Sequence, residues 1–166
     1  MREDLGLEVK GASVLLLGAG GAGRTAALKL AADGAGYLFL VNRTRSKAEA
    51  LACEICQRWP KARVTVAYPS GPVDLVLNAT SLGLAAEDPL PFEPEQFDLK
   101  QARLAYDMIY RPPETAFLAM AKAAGLCVAN GIGMLLYQGA KALEIWSGRQ
   151  APVEVMRAAL LKNVYG

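Results

Sequence analysis

With 166 residues, 53 % of them apolar, the chain is long enough for one domain with a full core, and its composition excludes intrinsic disorder. Eighteen basic side chains against sixteen acidic ones leave a formal net charge of +2 without any basic run, which by itself argues neither for nor against a nucleic-acid partner; none is expected. The chain contains no histidine, which removes the commonest general base and the commonest metal ligand, so any proton transfer must use Lys, Asp, Glu, Tyr or a group on another domain.

The first element in chain order is an apolar run at 13–17 that ends at glycine, as a buried parallel strand does. Small residues with Leu28, Leu30 and Ala31 over 21–33 predict a helix packed closely on a sheet and stopped by Gly34 and Gly36. A second strand is expected at 37–41. A helix follows at 46–59, with Ala48, Leu51, Ala52 and Ile55 at helical spacing and Pro60 ending it. Strands are expected at 63–67 and 73–77, and the segment 82–100, rich in Pro, Glu and Asp, reads as a loop. Beyond it come a strand at 104–108, a helix at 114–124 and a short strand at 126–128. A strongly apolar helix at 134–146 reads as buried. A last helix begins near Pro152, with Val153, Met156, Ala159 and Leu160 on one face. Strands alternating with helices predict an α/β fold, a doubly wound parallel sheet with helices on both faces, in a single domain over 1–166.

Three cysteines, an odd number, fit a reducing compartment better than a disulfide framework. The charged start has no leader-like apolar region, and Arg24, Lys29 and Asp33 interrupt the apolar stretches well before they could span a bilayer. A soluble cytoplasmic protein without a membrane partner is expected. Cys53 and Cys56 lie three apart inside a predicted helix with no histidine nearby, and they read as buried cysteines; no metal site is expected.

Gly18-Ala19-Gly20-Gly21-Ala22-Gly23 follows the first strand and opens the first long helix. This is the arrangement of a Rossmann-type dinucleotide site: one glycine for the turn, one for backbone approach to the pyrophosphate, and one for close packing of helix on strand. The helix N-terminus offers free N–H groups to the phosphates. A nicotinamide site without a 2′-phosphate usually places Asp or Glu at the end of the second strand. Here Asn42 stands there, followed by Arg43, Thr44, Arg45 and Lys47. These residues can grip a 2′-phosphate, at about 1.5–3 kcal/mol per charge-assisted hydrogen bond, so NADP is the expected cofactor.

Three further segments are more specific. Asn78-Ala79-Thr80-Ser81-Leu82-Gly83 follows the fourth strand, Tyr106-Asp107-Met108-Ile109-Tyr110 ends the fifth, and Gly131-Ile132-Gly133-Met134-Leu135-Leu136-Tyr137-Gln138 opens the late helix. With the glycine loop and Asn42-Arg43-Thr44, they resemble the C-terminal NADP-binding domain of the shikimate dehydrogenase family, from about Lys10 to the end of the chain. The resemblance implies NADPH-dependent reduction of 3-dehydroshikimate to shikimate, a step of aromatic amino acid biosynthesis. It implies that the glycine loop, Asn42, Arg43, Thr44 and Lys47, with Arg45 as an extra cation, hold the adenine ribose phosphates. Asn78, Thr80 and Ser81 would lie beside the cofactor ribose. Met108 and Gly131 would line the nicotinamide pocket with Met134 close by, and Tyr110 and Gln138 would reach across the cleft to the substrate.

The residues by themselves leave alternatives open. Met108 also fits ordinary core packing, and Asn78 and Thr80 also fit a turn cap. Gln138, on an apolar helix face, needs a partner, which either substrate or a backbone carbonyl supplies. Asp107 fits a turn-shaping role better than a catalytic one. The family's catalytic lysine and aspartate belong to an N-terminal domain that this chain is expected to lack, so no catalytic residue is assigned. The isolated chain is expected to bind NADP without turning over shikimate, and to expose an apolar face that supports a homodimer. The competing readings are a quinate/shikimate dehydrogenase domain and a non-catalytic NADP sensor.

Overall fold

The computed structural model describes residues 2–166. Its elements run α1 (Arg2–Leu5), β1 (Ser13–Leu17), α2 (Gly21–Ala32), β2 (Tyr37–Val41), α3 (Arg45–Arg58), β3 (Val64–Thr65), β4 (Val73–Asn78), β5 (Ala102–Asp107), α4 (Ala116–Ala123), β6 (Cys127–Ala129), α5 (Ile132–Ser147) and α6 (Val153–Tyr165). The six strands form one parallel sheet in the order β3-β2-β1-β4-β5-β6. In such a sheet the chain leaves β1 in one direction and later returns to pair on its other side, which opens a crevice beyond the strand ends.

The central strands are mostly apolar, with polar residues at or near their ends, because both faces are covered. Val14 and Leu16 of β1 pack with Ala27, Leu30, Leu51 and Ile55 under α2 and α3. Leu15 and Leu17 face the other way, onto Phe117, Leu118 and Ala121 of α4 and onto Phe92 and Phe97 from the long connection after β4. That connection is a loop, as expected, except for one 3-10 turn at Leu99–Gln101.

The differences from expectation have local causes. β3 is two residues long instead of five, since it is an edge strand paired only with Leu38 and Phe39. α4 starts at Ala116 because Thr115 is its N-cap, its hydroxyl accepting the Leu118 N–H. α1 was not anticipated; four residues are too few to show a period. α5 is not the buried helix its composition suggests. Gly133, Leu136 and Ala140 are buried, but Ile145 is 69 % and Trp146 84 % exposed. No residue of α6 is fully buried, and Ala159 lies exposed on the face expected to pack. Cys53 and Cys56 are exposed, against the expectation of burial, because α3 turns Ala48, Leu51 and Ile55 to the sheet. No helix among the described residues is long and apolar enough to cross a membrane.

Candidate cofactor and substrate site

The glycine loop is set by main-chain contacts. Gly18 has a φ of +103°, and its N–H donates to the Val41 carbonyl at 2.7 Å, joining the loop to the end of β2. A Cβ on Gly23 would lie 2.0 Å from the Gly18 carbonyl oxygen, so α2 can start this close to β1 only with glycine there. On the outer side the loop is open: a Cβ on Gly20 or Gly21 would meet nothing within 4 Å. The first backbone N–H of α2 with an i−4 partner is that of Arg24, which donates to Gly20, so the preceding N–H groups face this space. An exposed first turn of free N–H groups beside open volume fits a pyrophosphate.

Asn42 lies beyond the end of β2, and both ends of its amide are engaged by main chain. Its Oδ1 accepts the Ala19 N–H at 2.9 Å and its Nδ2 donates to the Thr44 carbonyl at 2.8 Å. The expected grip of Asn42 on a phosphate thus competes with bonds already made inside the protein. Arg43, Thr44 and Lys47 are exposed around the start of α3. Arg45 forms an ion pair with Glu49 at 2.8 Å. Arg24, one turn into α2, forms a two-pronged contact with Glu54, which Arg58 also approaches at 2.6 Å. The Arg24 hydrogen bond holds the Glu54 carboxyl below the usual range. Arg43 and Lys47 are the cations of this loop without an ion pair among the described residues.

Past the end of β4, polar side chains build the floor. Asn78 is fully buried. Its Oδ1 accepts from both the N–H and the hydroxyl of Thr80, and Thr80 Oγ1 in turn accepts the Leu82 N–H. The turn-capping alternative for Asn78 and Thr80 is therefore what their side chains do. Ser81 is exposed. Asn78 Nδ2 also donates to Asp107 Oδ1 at 3.0 Å, and Asp107 accepts the Ile109 N–H at 3.0 Å and the Thr115 hydroxyl at 2.7 Å. Burial pushes the Asp107 carboxyl up against the pull of these three donors.

The segment after β5 carries the next candidates. Met108 is half-buried, and the Gly131 N–H donates to the Ile109 carbonyl at 3.1 Å. A Cβ on Gly131 would lie 2.1 Å from the Met108 carbonyl oxygen, which accounts for glycine at the head of α5. Met108 and Tyr110 line a cavity of about 410 Å³ with Leu135, Leu84, Arg111 and Asn163. Met134 and Gln138 are exposed on α5 outside that lining, and Gln138 needs no internal partner because it is open to solvent.

Three contributors were not recognised in the sequence. Tyr165, at the end of α6, donates to the Tyr110 carbonyl at 2.7 Å. Asn130 donates to Tyr165 Oη and to the Pro113 carbonyl, and accepts the Ile132 N–H. An asparagine just before a helix is a readable capping signal; Tyr165 had none. The Tyr106 hydroxyl is pushed up to about 12 by burial and then by the charge of Asp4, while a hydrogen bond from the Met134 main chain pulls it back.

Comparison with known proteins bears on this arrangement. Residues 2–81 match the family model described as shikimate / quinate 5-dehydrogenase, and residues 131–161 match that of the shikimate 5'-dehydrogenase C-terminal domain. The chain is 40 % identical over 172 residues to a shikimate dehydrogenase (NADP(+)) of Desulforamulus reducens, covering 99 % of this chain and 59 % of that protein. The chain thus spans under two thirds of the length of the curated relatives it matches. Among solved structures, a shikimate dehydrogenase in complex with NADP+ superposes with a TM-score of 0.83 at 33 % identity, over 99 % of this chain and 58 % of that one. The ligand-free 5-ketofructose reductase of a Gluconobacter strain superposes with a TM-score of 0.79 at 38 % identity, over 96 % of this chain and 58 % of that one.

Proposed function

The chain belongs to the shikimate dehydrogenase family, and from that premise we propose that it is the NADP-binding part of an enzyme that reduces 3-dehydroshikimate to shikimate. The observation that carries the cofactor half of this reading is the pairing of an open glycine loop with Arg43 and Lys47, which have no ion pair among the described residues, where a carboxylate would repel a 2′-phosphate. When bound, NADPH supplies the hydride. The residues of this chain bind and orient. The first turn of α2 takes the pyrophosphate, Arg43 and Lys47 take the 2′-phosphate, and Met108, which lines the cavity and has Gly131 packed against its carbonyl, bounds the nicotinamide side.

Tyr110 lies in the same cavity, where its ring and hydroxyl meet the substrate. Gln138, exposed further along α5 and outside the lining of that cavity, is the second substrate contact of this reading. This reading assigns the proton-transfer groups to the part of the relatives that this chain does not span, and gives no residue here that role. Calorimetric titration tests the cofactor reading. NADP+ binds at least about tenfold more tightly than NAD+, the worth of one charge-assisted contact. Equal affinities would defeat it. Mixed with shikimate and NADP+, the chain alone gives no reduced cofactor; turnover at the rate of a complete enzyme would remove the division of labour proposed here.

A further inference from the structure

Asn42 joins two turns that a dinucleotide would touch at different points. Ala19, whose N–H its Oδ1 accepts, belongs to the loop that faces the pyrophosphate. Thr44, whose carbonyl accepts from its Nδ2, precedes α3 and sits between Arg43 and Arg45. A carboxamide can serve both because it carries an acceptor and a donor on one short planar group. The bond also occupies the Ala19 N–H, leaving the first turn of α2 as the open donor set. Among the nearby cations, Arg45 and Arg24 are held by Glu49 and Glu54, whereas Arg43 and Lys47 have no ion pair among the described residues.

We propose that Asn42 is a positioning residue: a strut that sets the glycine loop for the pyrophosphate of any dinucleotide, while Arg43 and Lys47 choose the 2′-phosphate. The inference rests on the NADP reading above and departs from it in one respect. A direct phosphate ligand at position 42 would affect NADP+ alone, whereas a strut affects NADP+ and NAD+ together.

The test titrates the wild-type chain, Asn42→Ala, Asn42→Asp and Arg43→Ala with NADP+ and with NAD+, alongside thermal unfolding. Asn42→Ala weakens both nucleotides by about tenfold, one hydrogen bond's worth, and leaves their ratio unchanged. Asn42→Asp keeps an acceptor for the Ala19 N–H, so NAD+ binding recovers relative to the alanine variant while NADP+ binding falls further through charge repulsion. Arg43→Ala weakens NADP+ alone. A carboxylate at position 42 can also bond the ribose 2′-hydroxyl, so parallel weakening of both nucleotides in an Asn42→Ala chain that still unfolds cooperatively is what separates a strut from a general loss of structure. Loss of NADP+ alone in Asn42→Ala, no loss of either nucleotide, or equal NAD+ loss in the alanine and aspartate variants overturns the proposal. Equal wild-type affinities with parallel loss in Asn42→Ala overturn the NADP reading and leave the strut standing. A wild-type chain that binds neither nucleotide overturns both.

Discussion

In the glycine-loop half of the molecule, main chain lies against main chain. Gly18 meets Val41, Gly23 sits on the Gly18 carbonyl, and Asn42 spans from Ala19 to Thr44. In the layer formed by α5 and α6, side chains meet solvent: Ile145, Trp146 and Val155 are all exposed, and α6 buries no residue fully. The two regions belong to one chain and are equally regular in secondary structure. The difference shows that the glycine loop is set by contacts within these residues, whereas the α5–α6 face, which borders the Tyr110 cavity, is packed on one side only. Substitutions of similar size should therefore have opposite consequences in the two regions.

The largest effect is expected at Gly23. Alanine there puts a methyl 2.0 Å from the Gly18 oxygen, and neither backbone can yield without opening the turn. Gly23→Ala should cost more than about 3 kcal/mol of stability in urea unfolding and lower NADP+ affinity by more than about a hundredfold. A variant that folds and binds like wild type would show that the loop is not held by this contact, and the contrast between the two regions would fail.

Asp107 comes next. It gathers donors from β4, from its own turn and from the N-cap of α4, with no cation in the set. Asp107→Ala leaves buried donors without an acceptor and should cost about 3 kcal/mol. Asp107→Asn keeps the shape and removes the charge, which isolates a pH dependence. Burial raises the folded-state value above the ordinary 3.8, so the native state holds this proton more tightly than the unfolded chain does. Its contribution is fully present below about pH 4 and is lost as pH rises through the raised folded value. The stability difference between wild type and Asp107→Asn should therefore shift toward the variant as pH increases above about 4. A shift in the other direction would mean that the three hydrogen bonds outweigh burial.

What could be read from the sequence follows the same division. β1, β2, β4 and β5 were legible because strands covered on both faces are continuous apolar runs, and the glycine spacing was legible because only glycine permits those close approaches. Asn42 was found by position, but its two hydrogen bonds to main chain were not foreseen. Chain spacing says which residue ends a strand, not which main-chain groups its side chain reaches. The exposure of Cys53 was available in principle, since on α3 it stands about 200° around the helix from Leu51, a buried residue. The state of α5 was not available. An apolar helix records that something covers it, without recording whether the covering group lies in the same stretch of chain. The tie from Tyr165 to Tyr110 spans 55 residues and leaves no local pattern.

The smallest effect is expected on the unfinished side, and its sign is the point. Gly139 lies inside α5, facing α6, and a Cβ added there would come 3.6 Å from Met156 Cε, an ordinary contact with the end of a flexible side chain. Alanine in mid-helix restricts the unfolded chain and adds a methyl to a seam that buries little. Gly139→Ala should raise stability by about 0.5–1 kcal/mol, read as a higher urea midpoint with an unchanged slope. The same chemical change is thus expected to be destructive at Gly23 and favourable at Gly139. If Gly139→Ala were instead destabilising by a comparable amount, the α5–α6 seam would be as tightly set as the glycine loop, and the exposure of Trp146 and Ile145 would have to be explained without appeal to loose packing.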